Sequence, residues 1–173
     1  MAINRARTQK NFNLYINGEN LAGKVSKVKL PTVAEKVEEH RGAGMGMPID
    51  LKMGLEPMEM TFTTTDIGVE QELITAIRDG QDQQFIFRSS ASTDETPSDT
   101  IMTEVTVNGS IQKVEVGDFE SGSKIDTDFT VKSVKFYEKK VDGQQVFLFD
   151  LFNHKWVVNG VDQWASERGD LLI

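Results

Sequence analysis

The 173-residue chain has no cysteine, two histidines, two tyrosines, two tryptophans and four prolines. Without cysteine there is no disulfide or thiolate chemistry, and His40 and His154 alone do not supply the ligands of a structural zinc site. Basic charge is also short: 19 Lys and Arg stand against 27 Asp and Glu, a net charge of −8. That balance argues against a protein that coats DNA or lies on a membrane surface. No apolar run approaches the roughly 18–20 residues of a membrane span, so no membrane anchor is expected. The segment Met1-Ala2-Ile3-Asn4-Arg5-Ala6-Arg7 lacks the apolar stretch of a signal peptide, and the expectation is a protein made and kept in a cytoplasm. What is present suffices for a core. Leu, Ile, Val and Phe make up 27% of the chain, above the roughly 20% below which disorder is expected. The length fits one domain, or one domain with extended arms.

Strands dominate the pattern. Val, Ile and Thr number 41 against 18 Ala and Leu, and branched side chains pack well on a pleated surface. In Met58–Thr63, one face carries Met58, Met60 and Phe62, the other Glu59, Thr61 and Thr63. From Ile101 to Val107, Ile101, Val105 and Val107 oppose Met102, Glu104 and Thr106. Asn108-Gly109 then reads as a hairpin turn into Ile111–Val116. Asp142-Gly143 reads the same way between Ser133–Lys140 and Gln144–Asp150. Asn17-Gly18 joins Phe12–Ile16 to a segment reaching Leu30-Pro31. Helical spacing appears once, at Val69, Leu73, Ile74 and Ile77 with Gly80 as the stop, and a shorter helix is expected to start at Asp162 as N-cap. The expected architecture is mainly β: an antiparallel barrel or sandwich with one packed helix.

Two segments depart from a compact domain. Residues 40–57 hold four glycines, two prolines and three methionines. Unstructured loops longer than about 12–15 residues are uncommon and mostly functional or disordered. Met45, Met47, Ile49, Leu51, Met53 and Leu55 are too apolar for a solvated tail, so this arm calls for a partner surface that flexible methionines can fit. Ser89 to Asp99 is the opposite, a polar stretch read as a solvated loop.

Charge is uneven as well. Residues 1–36 carry net +5 and residues 37–173 net −13. Nine carboxylates crowd residues 94–128 against Lys113 and Lys124. They read as a solvated face that maintains solubility, or as a surface that repels polyanions. The basic cluster of Arg5, Arg7, Lys10, Lys24, Lys27 and Lys29 reads as a solvated arm and strand face, or as a positive edge that meets the acidic remainder of a neighbouring copy.

Catalytic patterns are missing. No G-x-S-x-G elbow is present, and Ser121-Gly122-Ser123 reads as a turn. The glycines at 42, 44 and 46 match neither phosphate-binding pattern. Asp126-x-Asp128 could chelate a cation, but the glycine and terminal glutamate of an EF-hand are lacking. Nothing singles out a carboxylate pair for glycoside hydrolysis. His40 and His154 read as packed or interface histidines. No cofactor and no enzymatic activity are expected.

The run Gly42-Ala43-Gly44-Met45, continued by Pro48-Ile49-Asp50-Leu51-Lys52-Met53-Gly54-Leu55-Glu56-Pro57-Met58-Glu59, resembles the major tail tube protein of contractile-tailed phages and R-type tailocins. Further matches are Leu14 to Gly18, Leu30-Pro31, Asp118-Phe119, Asp142-Gly143, Asn159-Gly160-Val161-Asp162-Gln163, Arg168, Asp170 and Leu171. The chain departs from the family in ending Leu171-Leu172-Ile173, without the glycine expected there, and in its 89–99 loop.

The resemblance implies a single tail tube domain over 1–173 with an assembly arm at about 40–57. Homohexameric rings would stack into a hollow tube that conducts DNA and penetrates the target envelope. It further implies a contractile sheath, a tape-measure protein, baseplate and tail-terminator proteins as partners, with DNA only transiently in the lumen. The location implied is the virion tail after synthesis in a bacterial host cytoplasm. Elementary geometry agrees, since about eight strands fill their own interior and an aqueous lumen takes roughly sixteen. Several copies must therefore share one sheet, which also removes exposed strand edges.

On this reading Arg41, Gly42, Gly44, Met45, Met47, Ile49, Leu51, Met53 and Leu55 form the inter-subunit arm. The polar faces at Glu59, Thr61, Thr63, Glu104 and Thr106, with Asp126 and Asp128, are lumen candidates. A basic wall would hold DNA through counterion release. Two other readings remain: a type VI secretion-like hexameric tube, favoured by export into the medium, and a monomeric ligand-binding β-domain, favoured by monomers at every concentration.

Overall fold

The computed structural model describes residues 6–66, 68, 73, 74, 77, 80–93 and 99–172. Twelve strands are present among them: β1 (Thr8–Ile16), β2 (Glu19–Asn20), β3 (Val25–Lys29), β4 (Glu35–His40), β5 (Ile49–Leu55), β6 (Met60–Thr64), β7 (Gln83–Ser92), β8 (Thr100–Val116), β9 (Thr127–Val141), β10 (Gln144–Asp150), β11 (Lys155–Val158) and β12 (Val161–Asp162). A helix, α1, follows at Ala165–Leu171. Ten strands form one antiparallel sheet in the order β12-β11-β10-β9-β8-β7-β1-β2, with β6 on β9 and β3 on β6. β4 and β5 form a separate two-stranded sheet.

The sheet forks at β9. Its C-terminal half, Phe136–Val141, pairs with β10, and its N-terminal half, Thr127–Val131, pairs with β6. β8 follows β9 along both halves. The two branches face each other across the core: Phe62 of β6 lies 5.7 Å from Phe85 of β7, a strand it does not pair with. Leu14, Met60, Phe85, Val105, Phe129 and Val131 are fully buried between them. The expected mainly β architecture is present, but the sheet does not close into a barrel, because β1 and β3 share no ladder.

Alternation places Met58, Met60 and Phe62 in the core and Thr61 and Thr63 on the outer face. Val105 and Val107 are buried in the same way. Asp142-Gly143 is the expected hairpin turn, with φ of 49° and 78°, the left-handed pair such a turn requires. Asn17-Gly18 has the same form, at 50° and 87°.

Asn108-Gly109 is not a turn. β8 runs unbroken for 17 residues, and the dipeptide lies at a register shift against β9. Glycine is needed there for space: a Cβ on Gly109 would come within 2.9 Å of the Lys132 carbonyl oxygen. Pairing with β9 on both sides of the bulge outweighs the local preference of the dipeptide to reverse the chain.

Gly68, Leu73, Ile74 and Ile77 are helical, with Leu73 buried and Ile77 against the core; Val69 lies outside the described residues. Ser89–Ser92, expected in a loop, belong to β7, and Ser92 is buried. Residues 94–98 lie outside the described residues.

The C-terminal helix begins two residues later than expected, with Trp164 as its N-cap. Asp162 ends β12 instead and ties strand to helix. Its Oδ1 accepts the Trp164 N–H at 3.1 Å and its Oδ2 accepts Arg168 Nη2 at 2.6 Å. Arg168 Nη1 donates to the His154 carbonyl at 2.8 Å. The Arg168 guanidinium, with the Trp164 N–H in support, holds the Asp162 carboxyl below its ordinary value of 3.8. A carboxyl depressed by folding stabilises the fold above its unfolded value, and that contribution is lost as pH falls through the folded value. Protection factors of the α1 amides, exchange corrected for its intrinsic rate, are therefore expected to fall selectively below about pH 3.8. Asp162→Asn should remove that pH dependence; an unchanged profile would refute the link.

Candidate assembly surface

The arm read as an unstructured loop is a β-hairpin. β4 and β5 pair antiparallel, with His40 opposite Ile49, Glu39 opposite Asp50, Glu38 opposite Leu51 and Val37 opposite Lys52. The signal was present in the alternation Ile49, Leu51, Met53, which the surrounding glycines obscured. At the tip, Met45 folds back: its N–H donates to the Gly42 carbonyl, and its sulfur accepts the Gly42 N–H. Arg41 Nε donates to the Met45 carbonyl at 3.4 Å, and Gly44 takes the positive φ of 85° that the turn needs. At the base, Leu55 packs against the core. Met45 and Leu55 are thus partly occupied within the chain, unlike the other apolar arm residues. Met47, Ile49, Leu51 and Met53 stay exposed, as does Val37, which sequence reasoning left out. A two-stranded hairpin alone is marginal in water, and a row of bare apolar side chains on one marks a surface meant to be covered.

The lumen candidates fall on the outer face of the large sheet. Thr61 registers with Thr130 and Thr63 with Asp128, whose Oδ1 accepts the Thr63 hydroxyl. Glu59 stands beside them, 3.2 Å from Lys132 Nζ. Glu104 and Thr106 lie on the other half of β8, where Glu104 accepts Arg88 Nε at 2.7 Å. Asp126 precedes β9, exposed, and its carbonyl accepts the Gly117 N–H at 2.8 Å. Glu115 with Lys113 and Glu138 with Lys140 complete the pattern. The face is laced with ion pairs, each contributing about 0–1 kcal/mol at a surface. Glu59 and Glu104 each stand beside a cation, which the acidic composition of the segment did not reveal.

Other exposed apolar side chains escaped sequence reasoning. Phe152 is 78% exposed in the β10–β11 turn, and Phe119 is exposed in the loop before β9. Neither sits in an alternating pattern that would single it out. His154 stacks on Trp164 at 4.6 Å with Nε2 3.5 Å from Glu167, the packed histidine expected, whereas His40 is exposed on the hairpin.

The open antiparallel fold is shared with solved chains of contractile injection systems. The chain is similar to the PVC sheath/tube terminator of an extracellular contractile injection system (TM-score 0.59, 13% identity, 80% of this chain and 99% of that one). It is equally similar to the anti-feeding prophage tube terminating cap (TM-score 0.59, 13% identity, 82% and 94%). These likenesses are of fold. The chain belongs to the phage tail tube protein FII family, whose sequence model matches residues 6–171. It is similar to the tail tube protein of Escherichia phage P2, 28% identical over 170 residues covering 95% of this chain and 96% of that one. The major tail tube protein of Serratia phage KSP20 is 28% identical over 148 residues, covering 82% and 81%. The family consists of structural components of the contractile phage tail, not enzymes.

Proposed function

We propose that this chain, as a single domain, assembles into homohexameric rings that stack into the inner tube of a contractile tail. The observation that carries this reading is the β4–β5 hairpin. Its apolar residues Val37, Met47, Ile49, Leu51 and Met53 are exposed on the single chain, and in this reading another copy covers them. Identical head-to-tail contacts close a ring when the rotation closes, and an axial repeat of rings makes a tube. The sheath encloses that tube, a tape-measure protein occupies it during assembly, and baseplate and terminator proteins bound its ends. Subunits are made in the host cytoplasm. DNA passes through at infection; in a tailocin the same tube penetrates the target envelope without a genome. Electron microscopy of concentrated protein tests the reading: it expects hollow tubes with six subunits per turn of the ring. A monomer at every concentration would overturn it.

Glu59 and Glu104, on the outer sides of the two branches, are placed at the lumen in this reading. Paired carboxylates leave it without net positive charge, so phosphates do not stick to it. Glu59→Lys with Glu104→Lys puts new cations beside Lys132 and Arg88, and a cationic wall retains DNA by releasing counterions. Tubes are expected to form, and phage infectivity to fall at least about tenfold. Normal infectivity would remove both residues from the lumen.

A further inference from the structure

The opening between β1 and β3 has the character of a receptor. β1 pairs with β7 along one side and with β2 only at Tyr15 and Ile16 on the other, so its edge from Thr8 to Asn13 has no strand partner among the described residues. Among the described residues β3 pairs only with β6. Between the two open edges lies a cleft of about 730 Å³. Phe12, Val28, Leu30 and Phe87 supply its apolar surface, with Phe12 stacked on Phe87 at 5.7 Å. Among the described residues its charged lining is basic: Lys10, Lys27 and Lys139. Lys27 and Lys139 have no ion-pair partner among the described residues. Lys139 is half-buried between Val105 and Phe147 on the neighbouring strands, where a cation without a counter-charge is unfavourable.

The hairpin carries the complement. Glu39 and Asp50 are register partners on one face, and like charges directly opposite destabilise a ribbon unless a cation joins them. Neither of them, nor Glu38, has an ion-pair partner among the described residues, whereas Glu35 is held by Lys52 at 2.8 Å. Glu38 shares the opposite face with Leu51, next to the His40 and Ile49 pair. Among the described residues both strands of the hairpin also have an unpaired backbone edge. The base of the chain's own hairpin borders Trp156 and Trp164, neither of which lines the cleft.

We propose that the β1–β3 cleft receives the β4–β5 hairpin of a second copy, which adds its strand edge to the open sheet. Ile49 and Leu51 then cover Phe12 and Val28, Glu38 meets Lys139, and the Glu39–Asp50 pair meets Lys27. Adding an extended strand to a free sheet edge supplies backbone hydrogen bonds, and the alternating side chains supply selectivity. The acidic loop at Asp118–Glu120 also offers carboxylates and an exposed phenylalanine, but it is not a strand and has no ladder edge to give.

This placement rests on the tube reading, and the test separates the two. The variant Lys27→Glu with Lys139→Glu, and the variant Glu38→Lys with Glu39→Lys and Asp50→Lys, are each expected to raise the critical concentration for tubes at least about tenfold. Both sets combined in one chain should restore assembly to within a few-fold. If the unaltered chain makes no tubes, the tube reading fails first. If it makes tubes and either variant assembles normally, or the combination does not recover, the docking site is wrong; rescue by reversing Asp118 and Glu120 instead would transfer the site to that loop. Lys139→Glu is able to disturb folding, so a second measurement avoids it. Since the chain has no cysteine of its own, Ser26→Cys chains co-assembled with Asp50→Cys chains should give, on oxidation, a dimer band that neither chain gives alone. Its absence from well-formed tubes would overturn the proposal.

Discussion

Removing residues 42–53 leaves a folded monomer that forms no tubes. The deletion takes the tip and most of β5, and neither strand of the hairpin shares a ladder with the ten-stranded sheet. The buried cluster from Leu14 to Phe149 loses no member, and Leu55 remains against it. The hydrogen bond from the Glu56 N–H to the Ala34 carbonyl, 2.8 Å, still joins the base of the hairpin. Thermal unfolding should therefore change by no more than a few degrees, equivalent to less than about 1 kcal/mol. Assembly should vanish, because the exposed apolar row proposed to dock on another copy is gone. Sedimentation and negative-stain microscopy read the two results separately; long tubes from the deleted chain would refute the assignment of the hairpin.

The largest loss of stability is expected at the centre of the fork. Phe129 is fully buried, stacked on Phe62 at 5.0 Å and 10° between ring planes. Its register neighbours are Phe62 on β6 and Val114 on β8, so one ring fills the space among three strands. Phe129→Ala should cost about 3–5 kcal/mol, the transfer energy plus the cavity left behind. Against a typical total of about 5–15 kcal/mol this is a large fraction. The urea midpoint should drop by about 2 M at a slope of about 2 kcal/mol/M. A drop below about 0.5 M would mean that the two branches hold together without this contact.

Much of the fold was legible because strand alternation is set by burial. Met60 and Phe62 face inward while Thr61 and Thr63 face outward for the reason the sequence suggests: one side of β6 lies on the core. Turns were legible only where nothing long-range competed. Asp142-Gly143 and Asn108-Gly109 carry nearly the same local signal. The first reverses the chain with two positive φ values, and the second is overridden by a partner strand that continues past it. The hairpin was recognised as an odd apolar segment but not as strands, because its cross-strand partners in Glu35–His40 are mostly charged and gave no matching apolar face. The cleft between β1 and β3 could not be found from the sequence. It is defined by a ladder that does not form, and no residue pattern announces a missing neighbour. The cations beside Glu59 and Glu104 were hidden for a similar reason: Lys132 and Arg88 lie 73 and 16 positions away in the chain.

The failure of β1 and β3 to meet has a consequence for growth. On the proposed docking, taken between one ring and the next, each ring added brings identical vacancies of its own and recreates the condition that invited it. Nothing in such stacking counts. Purified protein should polymerise to a broad spread of lengths, and any uniform length must be imposed from outside by a ruler and a stopper.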